Sequence, residues 1–177
     1  AGNCYQGAAD PSCDYTNNPV SYPAALDHVV AVAATDMNDG HAYYSETGSY
    51  VDLAAPGNTI LSSCIASTYC YKTGTSMATP YVAGVAALAW SLNPNLTPDQ
   101  VEALLRQSAV DTGTPGRDDT FGYGRVDAYQ AALRAQATLG YAATYDSQSF
   151  PATMTVGQQA TAWVQLRNTG GTTWQCP

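Results

Sequence analysis

The longest run of apolar and small residues in the chain extends from Met77 to Trp90. It follows a loop of small and polar residues that contains Gly74, and Pro80 falls in the turn after Ser76. Proline is tolerated in the first turn of a helix, where its missing N–H would be unpaired in any case. The pattern therefore predicts a buried helix with Ser76 at its N-terminal end.

Shorter apolar runs before this helix predict strands. Residues 28–35 (HVVAVAAT) are apolar and partly β-branched, which is typical of a buried central strand in a parallel sheet. Residues 50–57 (YVDLAAPG) predict a strand ended by a Pro-Gly turn, and residues 60–63 (ILSS) predict another. The polar residues 42–49 predict a turn between the first two strands.

Two more helices are expected after the apolar one. Residues 97–100 (TPDQ) have the form of a capping box with proline at the first helical position. Val101, Leu104 and Leu105 then form the buried stripe of that helix. A final helix should extend to about Leu139, and Asp127 has at most a structural role there, such as capping its start.

The pattern changes from Gly140 onward, where a helical composition gives way to Thr, Gln, Tyr and Val. Residues 160–167 alternate with a period of two, as in a half-buried strand, and residues 168–174 predict a turn into another strand. This tail resembles the first strands of an immunoglobulin-like β-sandwich module. We therefore divide the chain into residues 1–139 and 140–177. Two or three strands are not stable alone, so the module is expected to continue beyond Pro177.

Composition narrows the functional classes. The 177 residues suffice for one domain and part of another, and the net charge of −8 argues against a nucleic-acid partner. Four small or polar residues interrupt the apolar run after Ser76, namely Thr79, Pro80, Gly84 and Ser91. The run is therefore shorter than the roughly 18 apolar residues of a membrane span.

Four of the five cysteines form two pairs that are close in sequence, Cys4 with Cys13 and Cys64 with Cys70. Neither pair has the C-x-x-C spacing of a zinc or redox site. We interpret them as two local disulfides of an exported protein, with free buried cysteines as the alternative. The partner of Cys176 is expected beyond the end of this chain.

Ser76 lies where unpaired backbone N–H groups and the positive end of a helix dipole would meet a ligand. Such a place suits a nucleophile and a developing oxyanion. The alternative is that Ser76 merely caps the helix, which is the commonest use of serine at such a position.

The full string around Ser76 favours the first interpretation. Residues 74–84 (GTSMATPYVAG) closely resemble the serine motif of subtilases, the subtilisin-like serine proteases. The resemblance implies that Ser76 is the catalytic nucleophile. One departure is visible, because the family often has histidine where Tyr81 stands.

The resemblance extends to the first three residues, Ala1, Gly2 and Asn3, at the family's distance before the serine. In subtilases the Asn of this tripeptide donates to the oxyanion, so Asn3 is implied as a catalytic donor and Ala1 and Gly2 as substrate-binding residues. Without the later motif, a Gly-Asn turn would be the ordinary interpretation. The implied fold is α/β, with a mostly parallel sheet and helices on both faces.

The triad's Asp and His are expected in upstream sequence. His28 lacks the family's histidine context, and His41, in the loop at residues 38–41, is interpreted by the same argument as a solvated turn residue. The Asp-Thr-Gly at 111–113 follows the serine instead of preceding it, so we interpret it as a coincidental turn. Asp52 matches an acidic position near a weak cation site of the family, but a solvated or turn-capping role is preferred, and no metal ligand is assigned. We therefore expect a C-terminal portion of a longer protein, inactive alone and truncated on the N-terminal side of its sheet.

The implied function is hydrolysis of peptide bonds in proteins or peptides through an acyl-enzyme on Ser76. The enzyme is expected to be secreted, by a bacterium, and to work together with its own upstream portion. No cofactor is required, although subtilases often hold structural calcium. Two alternatives stay open: a subtilase-like pseudoprotease without an intact triad, and a surface-binding protein that acts through its C-terminal module.

Overall fold

A computed structural model describes residues 1–5, 13, 18–138, 143–149, 153, 159 and 161–168. It divides into two compact units, Ala1–Ala135 and Gln136–Pro177. Most of the predicted polar loop after Asn3 lies outside the described residues, as does Cys176. The domain boundary at residue 139 stays a prediction.

The centre of the first unit is a parallel pair of buried strands, β1 (Val32–Thr35) and β2 (Leu53–Pro56), in the register Val32 opposite Leu53. The first strand is shorter than the predicted 28–35. His28 and Val29 lie before it and are exposed. The other two described strand pairs are antiparallel. The mostly parallel sheet therefore stays a prediction.

A hairpin follows, made of β3 (Ile60–Cys64) and β4 (Thr68–Lys72), which pair antiparallel around a short 3-10 turn. The strand predicted at 60–63 is confirmed, whereas β4 was not predicted. Residues 68–72 (TYCYK) are mostly exposed, so they lack the alternation of buried and polar positions by which a strand is recognised.

Three helices complete the unit: α1 (Thr75–Leu92), α2 (Pro98–Ser108) and α3 (Ala128–Ala137). The capping box of α2 is confirmed, because Thr97 Oγ1 accepts from Gln100 N at 3.3 Å and Thr97 N donates to Gln100 Oε1 at 2.9 Å. Asp127 caps α3 as predicted, accepting from Gln130 N at 2.9 Å. No described helix has the length and apolarity needed to cross a membrane.

Helix α1 packs on the parallel strands through a single stripe of residues, and the predicted stripe of α2 is buried in the same core. The stripe of α1 consists of Thr75, Ala78, Val82, Val85 and Ala89. The predicted burial of this helix is therefore found along one stripe of the described structure, whereas Tyr81 is 44% exposed and Leu88 and Trp90 are each 39% exposed.

The segment at residues 42–49 contains the predicted turn, at residues 43–44, but much of it is buried. Tyr44, Ser45 and Glu46 are buried, at 5%, 0% and 1% exposure. Polar side chains can be buried when they are hydrogen-bonded. Here Ser45 Oγ accepts from the backbone of β1, at 3.0 Å from Ala34 N.

In the second unit, β5 (Ala143–Ser149) pairs antiparallel with β6 (Trp163–Asn168). The strand predicted at 160–167 is confirmed as β6. The turn and further strand predicted at 168–174 fall almost entirely outside the described residues. The immunoglobulin-like module therefore stays a prediction.

Candidate active site

Ser76 is the second residue of α1 and is exposed. The residue that caps the helix is Gly74, whose φ of 156° and ψ of 160° lie in a region that glycine alone adopts readily. The alternative that Ser76 is the N-cap was therefore wrong. Its hydroxyl has no hydrogen-bond partner among the described residues and is free to meet a ligand.

The fold brings Asn3 to the residue just before Ser76. Asn3 Oδ1 accepts from Thr75 N at 2.9 Å and from Thr75 Oγ1 at 3.0 Å. Because a backbone N–H can only donate, the amide oxygen of Asn3 must face it. The amide Nδ2 is consequently directed elsewhere, and it has no acceptor within the described part of the chain.

Two N–H donors flank Gly74. A Cβ on Gly74 would lie 3.6 Å from Asn3 Nδ2, 3.7 Å from Ser76 N and 3.7 Å from Asn3 Oδ1, the oxygen that accepts from Thr75. These donors are near the start of α1, where the helix dipole is positive. The arrangement provides donors for an anionic oxygen beside an exposed serine hydroxyl.

The loop that leads into α1 is anchored at Gly57. Its carbonyl accepts from Gly74 N at 2.9 Å and from the hydroxyl of Tyr44 at 2.7 Å. Burial raises the pKa of Tyr44 to about 12, so the hydroxyl stays a donor through neutral and moderately alkaline pH. The position of Gly74 is therefore fixed from the core.

Ala1 and Gly2 lie beside β1. The Ala1 nitrogen donates to Val32 O at 2.6 Å, and Gly2 O accepts from Glu46 N at 3.0 Å. They place Asn3 at the end of an extended segment next to the sheet. Their role in substrate binding stays a prediction.

Both predicted disulfides are present, Cys4–Cys13 and Cys64–Cys70, so the free-cysteine alternative was wrong. The first joins the residue after Asn3 to a buried cysteine, whose Sγ lies 3.8 Å from the Asn3 carbonyl oxygen. The second links the strands of the hairpin that precedes Gly74.

Neither histidine is hydrogen-bonded to Ser76 within the described structure. His28 is exposed, with its Nδ1 3.6 Å from Asp99 Oδ1. His41 was expected to be a solvated turn residue, and this was wrong. Its ring packs edge-to-face on Tyr5 and Phe121, and its Nε2 lies 2.8 Å from Ser45 O.

Asp52 is neither solvated nor a turn cap, contrary to the prediction. Its Oδ1 lies 2.6 Å from Arg106 Nη2, and its Oδ2 accepts from Ala31 N at 2.8 Å. The Asp52 carboxylate is thus paired with the guanidinium of Arg106, and this ion pair does not fit a cation site at Asp52. No cluster of three metal-ligating side chains occurs among the described residues.

The sequence Asp-Thr-Gly at 111–113 forms a turn, as predicted. Asp111 Oδ2 accepts from Gly116 N at 2.8 Å, and Gly113 has a φ of 89°. Its carboxylate is used to close its own loop.

Comparison with protein families matches residues 1–124 to the subtilase family, peptidase S8. The halolysin-like extracellular serine protease Nep of Natrialba magadii is 47% identical over 109 residues, covering 62% of this chain and 20% of that protein. The minor extracellular protease Epr of Bacillus subtilis is 42% identical over 125 residues, covering 71% of this chain and 19% of that protein.

Solved structures give a similar result. Proteases from Pseudoalteromonas arctica match with a TM-score of 0.59 at 38% identity, over 64% of this chain and 38% of that chain. A lanthipeptide protease matches with a TM-score of 0.59 at 32% identity, over 64% of this chain and 43% of that chain. The chain thus spans about a fifth of the length of the two relatives named above and about two fifths of these structures.

Proposed function

Because the chain belongs to the subtilase family, we propose that it carries the nucleophile and the oxyanion donor of a secreted serine endopeptidase. Ser76 is the nucleophile and Asn3 the donor. The observation that supports the proposal most directly is the orientation of the Asn3 amide. Thr75 N and Thr75 Oγ1 donate to Asn3 Oδ1 at 2.9 and 3.0 Å, and Asn3 Nδ2 has no acceptor in the described structure.

In this proposal Ser76 Oγ attacks the carbonyl carbon of a peptide bond while its proton passes to a histidine. The carbonyl oxygen becomes an anion, which accepts from Asn3 Nδ2 and from the Ser76 backbone N–H. Collapse of the intermediate breaks the C–N bond, and the histidine protonates the leaving amine. Water then hydrolyses the ester on Ser76.

The histidine and its partner aspartate are supplied by an upstream portion of the same protein. The role of that portion is supported by the environment of Ser76, since no described side chain is hydrogen-bonded to its hydroxyl. The chain alone is accordingly inactive. The complete domain then has the mostly parallel sheet of the family, with β1 and β2 as two of its strands.

The substrates in this proposal are extracellular proteins or peptides, and Ala1 and Gly2 lie along the bound substrate. Extracellular function is supported by the two disulfides and by the names of the relatives, which come from bacteria and archaea. Hydrolysis needs no cofactor, because a serine, a histidine and neutral N–H donors supply the chemistry. Any structural calcium lies away from Asp52, which Arg106 already neutralises.

The test is a kinetic comparison of Asn3→Ala and Asn38→Ala in the full-length protein, with an internally quenched peptide as substrate. Asn38 is exposed in a turn and serves as the control. Asn3→Ala should lower kcat about 10²–10³-fold with little change in KM, which is the loss measured when a subtilisin is deprived of its oxyanion-hole asparagine. An unchanged kcat in folded Asn3→Ala would remove the proposed role of Asn3.

A further inference from the structure

Glu46 is a buried carboxylate that contacts the backbone on both sides of Asn3. Its side chain and main chain together are 1% exposed. Its backbone N–H donates to Gly2 O at 3.0 Å, and its Oε1 accepts from Cys4 N at 3.0 Å. The residue between these two bonds is Asn3.

The carboxylate is itself held by residues from separate segments. Its Oε2 accepts from Ser21 Oγ at 2.6 Å and from the hydroxyl of Tyr50 at 3.2 Å. Burial and then the charge of Glu46 raise the pKa of Tyr50 to about 12, which keeps this hydroxyl protonated as a donor. With Cys4 N, three donors satisfy the carboxylate, as a buried charge requires.

The Glu46 carboxylate is also close to Gly2. The carboxylate of Glu46 lies directly against the Cα of Gly2, where any Cβ would collide with it. The carboxylate therefore limits the backbone before Asn3 by contact and the backbone after Asn3 by a hydrogen bond.

We propose that Glu46 is a positioning residue for the oxyanion donor, acting through the backbone of Asn3. This inference rests on the proposed function of Asn3 and Ser76. Glu46 and Thr75 then have separate roles, because Glu46 fixes the position of the Asn3 backbone and Thr75 fixes the orientation of the Asn3 amide. A donor displaced by a fraction of an ångström loses much of its effect on the transition state while the ground state is little affected.

The alternative is that Glu46 only stabilises the fold. A double-mutant cycle separates the two, because a residue that acts through Asn3 has nothing left to position once Asn3 is alanine. We would measure kcat, KM and the thermal midpoint of the full-length protein for wild type, Glu46→Ala, Asn3→Ala and the double variant.

Glu46→Ala should lower kcat roughly 10- to 100-fold with KM within about twofold. In the Asn3→Ala background the same change should lower kcat less than about threefold. Glu46→Gln keeps an oxygen that can accept from Cys4 N and should recover most of kcat. Asp127→Ala, which removes a helix-capping carboxylate, is the control and should reduce the thermal midpoint with kcat retained.

The inference alone is overturned if Asn3→Ala lowers kcat but Glu46→Ala has the same effect in both backgrounds, or none in the wild type. If Asn3→Ala leaves kcat unchanged, the proposed function is overturned together with it. Should Glu46→Ala fail to fold, Ser21→Ala replaces it, since it removes the 2.6 Å donor to the carboxylate and touches neither flank of Asn3. A several-fold loss of kcat that disappears in Asn3→Ala then supports the inference, and an equal loss in both backgrounds overturns it.

Discussion

Replacing Thr75 with valine removes one of the two hydrogen bonds that orient the amide of Asn3. The bond from Thr75 Oγ1 to Asn3 Oδ1 is 3.0 Å long, and Thr75 is 4% exposed. Valine has nearly the same shape, so packing against the core is preserved. The backbone bond from Thr75 N, at 2.9 Å, is also preserved.

The expected magnitude follows from the single bond lost. A hydrogen bond between neutral groups contributes about 0.5–1.5 kcal/mol. If the freed amide then samples orientations in which Nδ2 does not face the oxyanion, kcat falls about 2- to 13-fold, at about 1.4 kcal/mol per factor of ten. KM should change little, because the amide stabilises the transition state more than the bound substrate.

The assay is steady-state hydrolysis of a fluorogenic peptide by the full-length protein, with Thr75→Ser as the matched control. Serine keeps the hydroxyl and loses only the methyl group, so its kcat should stay above that of the valine variant. The reasoning is refuted if Thr75→Val retains the wild-type kcat, or if Thr75→Ser loses as much as Thr75→Val while both remain folded.

Three further predictions concern the surroundings of the site. The double variant Cys4→Ser, Cys13→Ser should reduce the free energy of unfolding by about 2–3 kcal/mol, as expected for a closed loop of this length, which chemical denaturation measures. It should also lower kcat, measured by peptide hydrolysis, because the bridge begins next to Asn3. Arg106→Met should reduce the free energy of unfolding by about 1–3 kcal/mol, because it leaves Asp52 without its ion-pair partner. The free energy of unfolding should fall as pH rises from 10 to 12. The pKa of Tyr44 is raised to about 12 in the folded protein, so Tyr44 loses its proton at lower pH in the unfolded state than in the folded state, and Tyr44→Phe should reduce this fall.

Two of these predictions have a control within the same chain. Asp119→Asn breaks the ion pair with Arg117 at an acid that is 63% exposed, and it should change the free energy of unfolding by less than about 1 kcal/mol. An equal loss in Arg106→Met and Asp119→Asn would contradict the importance of the ion pair between Asp52 and Arg106. Tyr129 is 69% exposed, and Tyr129→Phe should leave the alkaline fall in stability unchanged. If the disulfide variant loses stability but keeps the wild-type kcat, the Cys4–Cys13 bridge does not help to position Asn3.

Local signals in the sequence were sufficient for several elements. The capping box at Thr97 and the cap at Asp127 depend on residues three positions apart, and both were found as predicted. The bonds from Thr75 to Asn3 span 72 positions, and no sequence pattern predicted them. The subtilase resemblance implied only that Asn3 and Ser76 act at one site.

Other features depend on distant contacts that no local pattern records. Glu46 lies in a stretch of polar residues that looks like an ordinary turn, and only the folded chain brings it to Gly2 and Cys4. Asp52 finds its partner Arg106 54 positions later. The apolar composition of α1 predicted a buried helix, whereas the described elements cover one stripe of it.

The most direct test of the central claim is labelling of the folded full-length protein with a fluorophosphonate probe, with the modified peptide identified by mass spectrometry. A label is expected on Ser76, and it should be absent in Ser76→Ala and retained in Ser91→Ala, which changes an exposed serine of the same helix. Such a label requires a serine activated by a base. No label on folded protein freed of any propeptide, or a label on another serine, would contradict the account and favour a pseudoprotease.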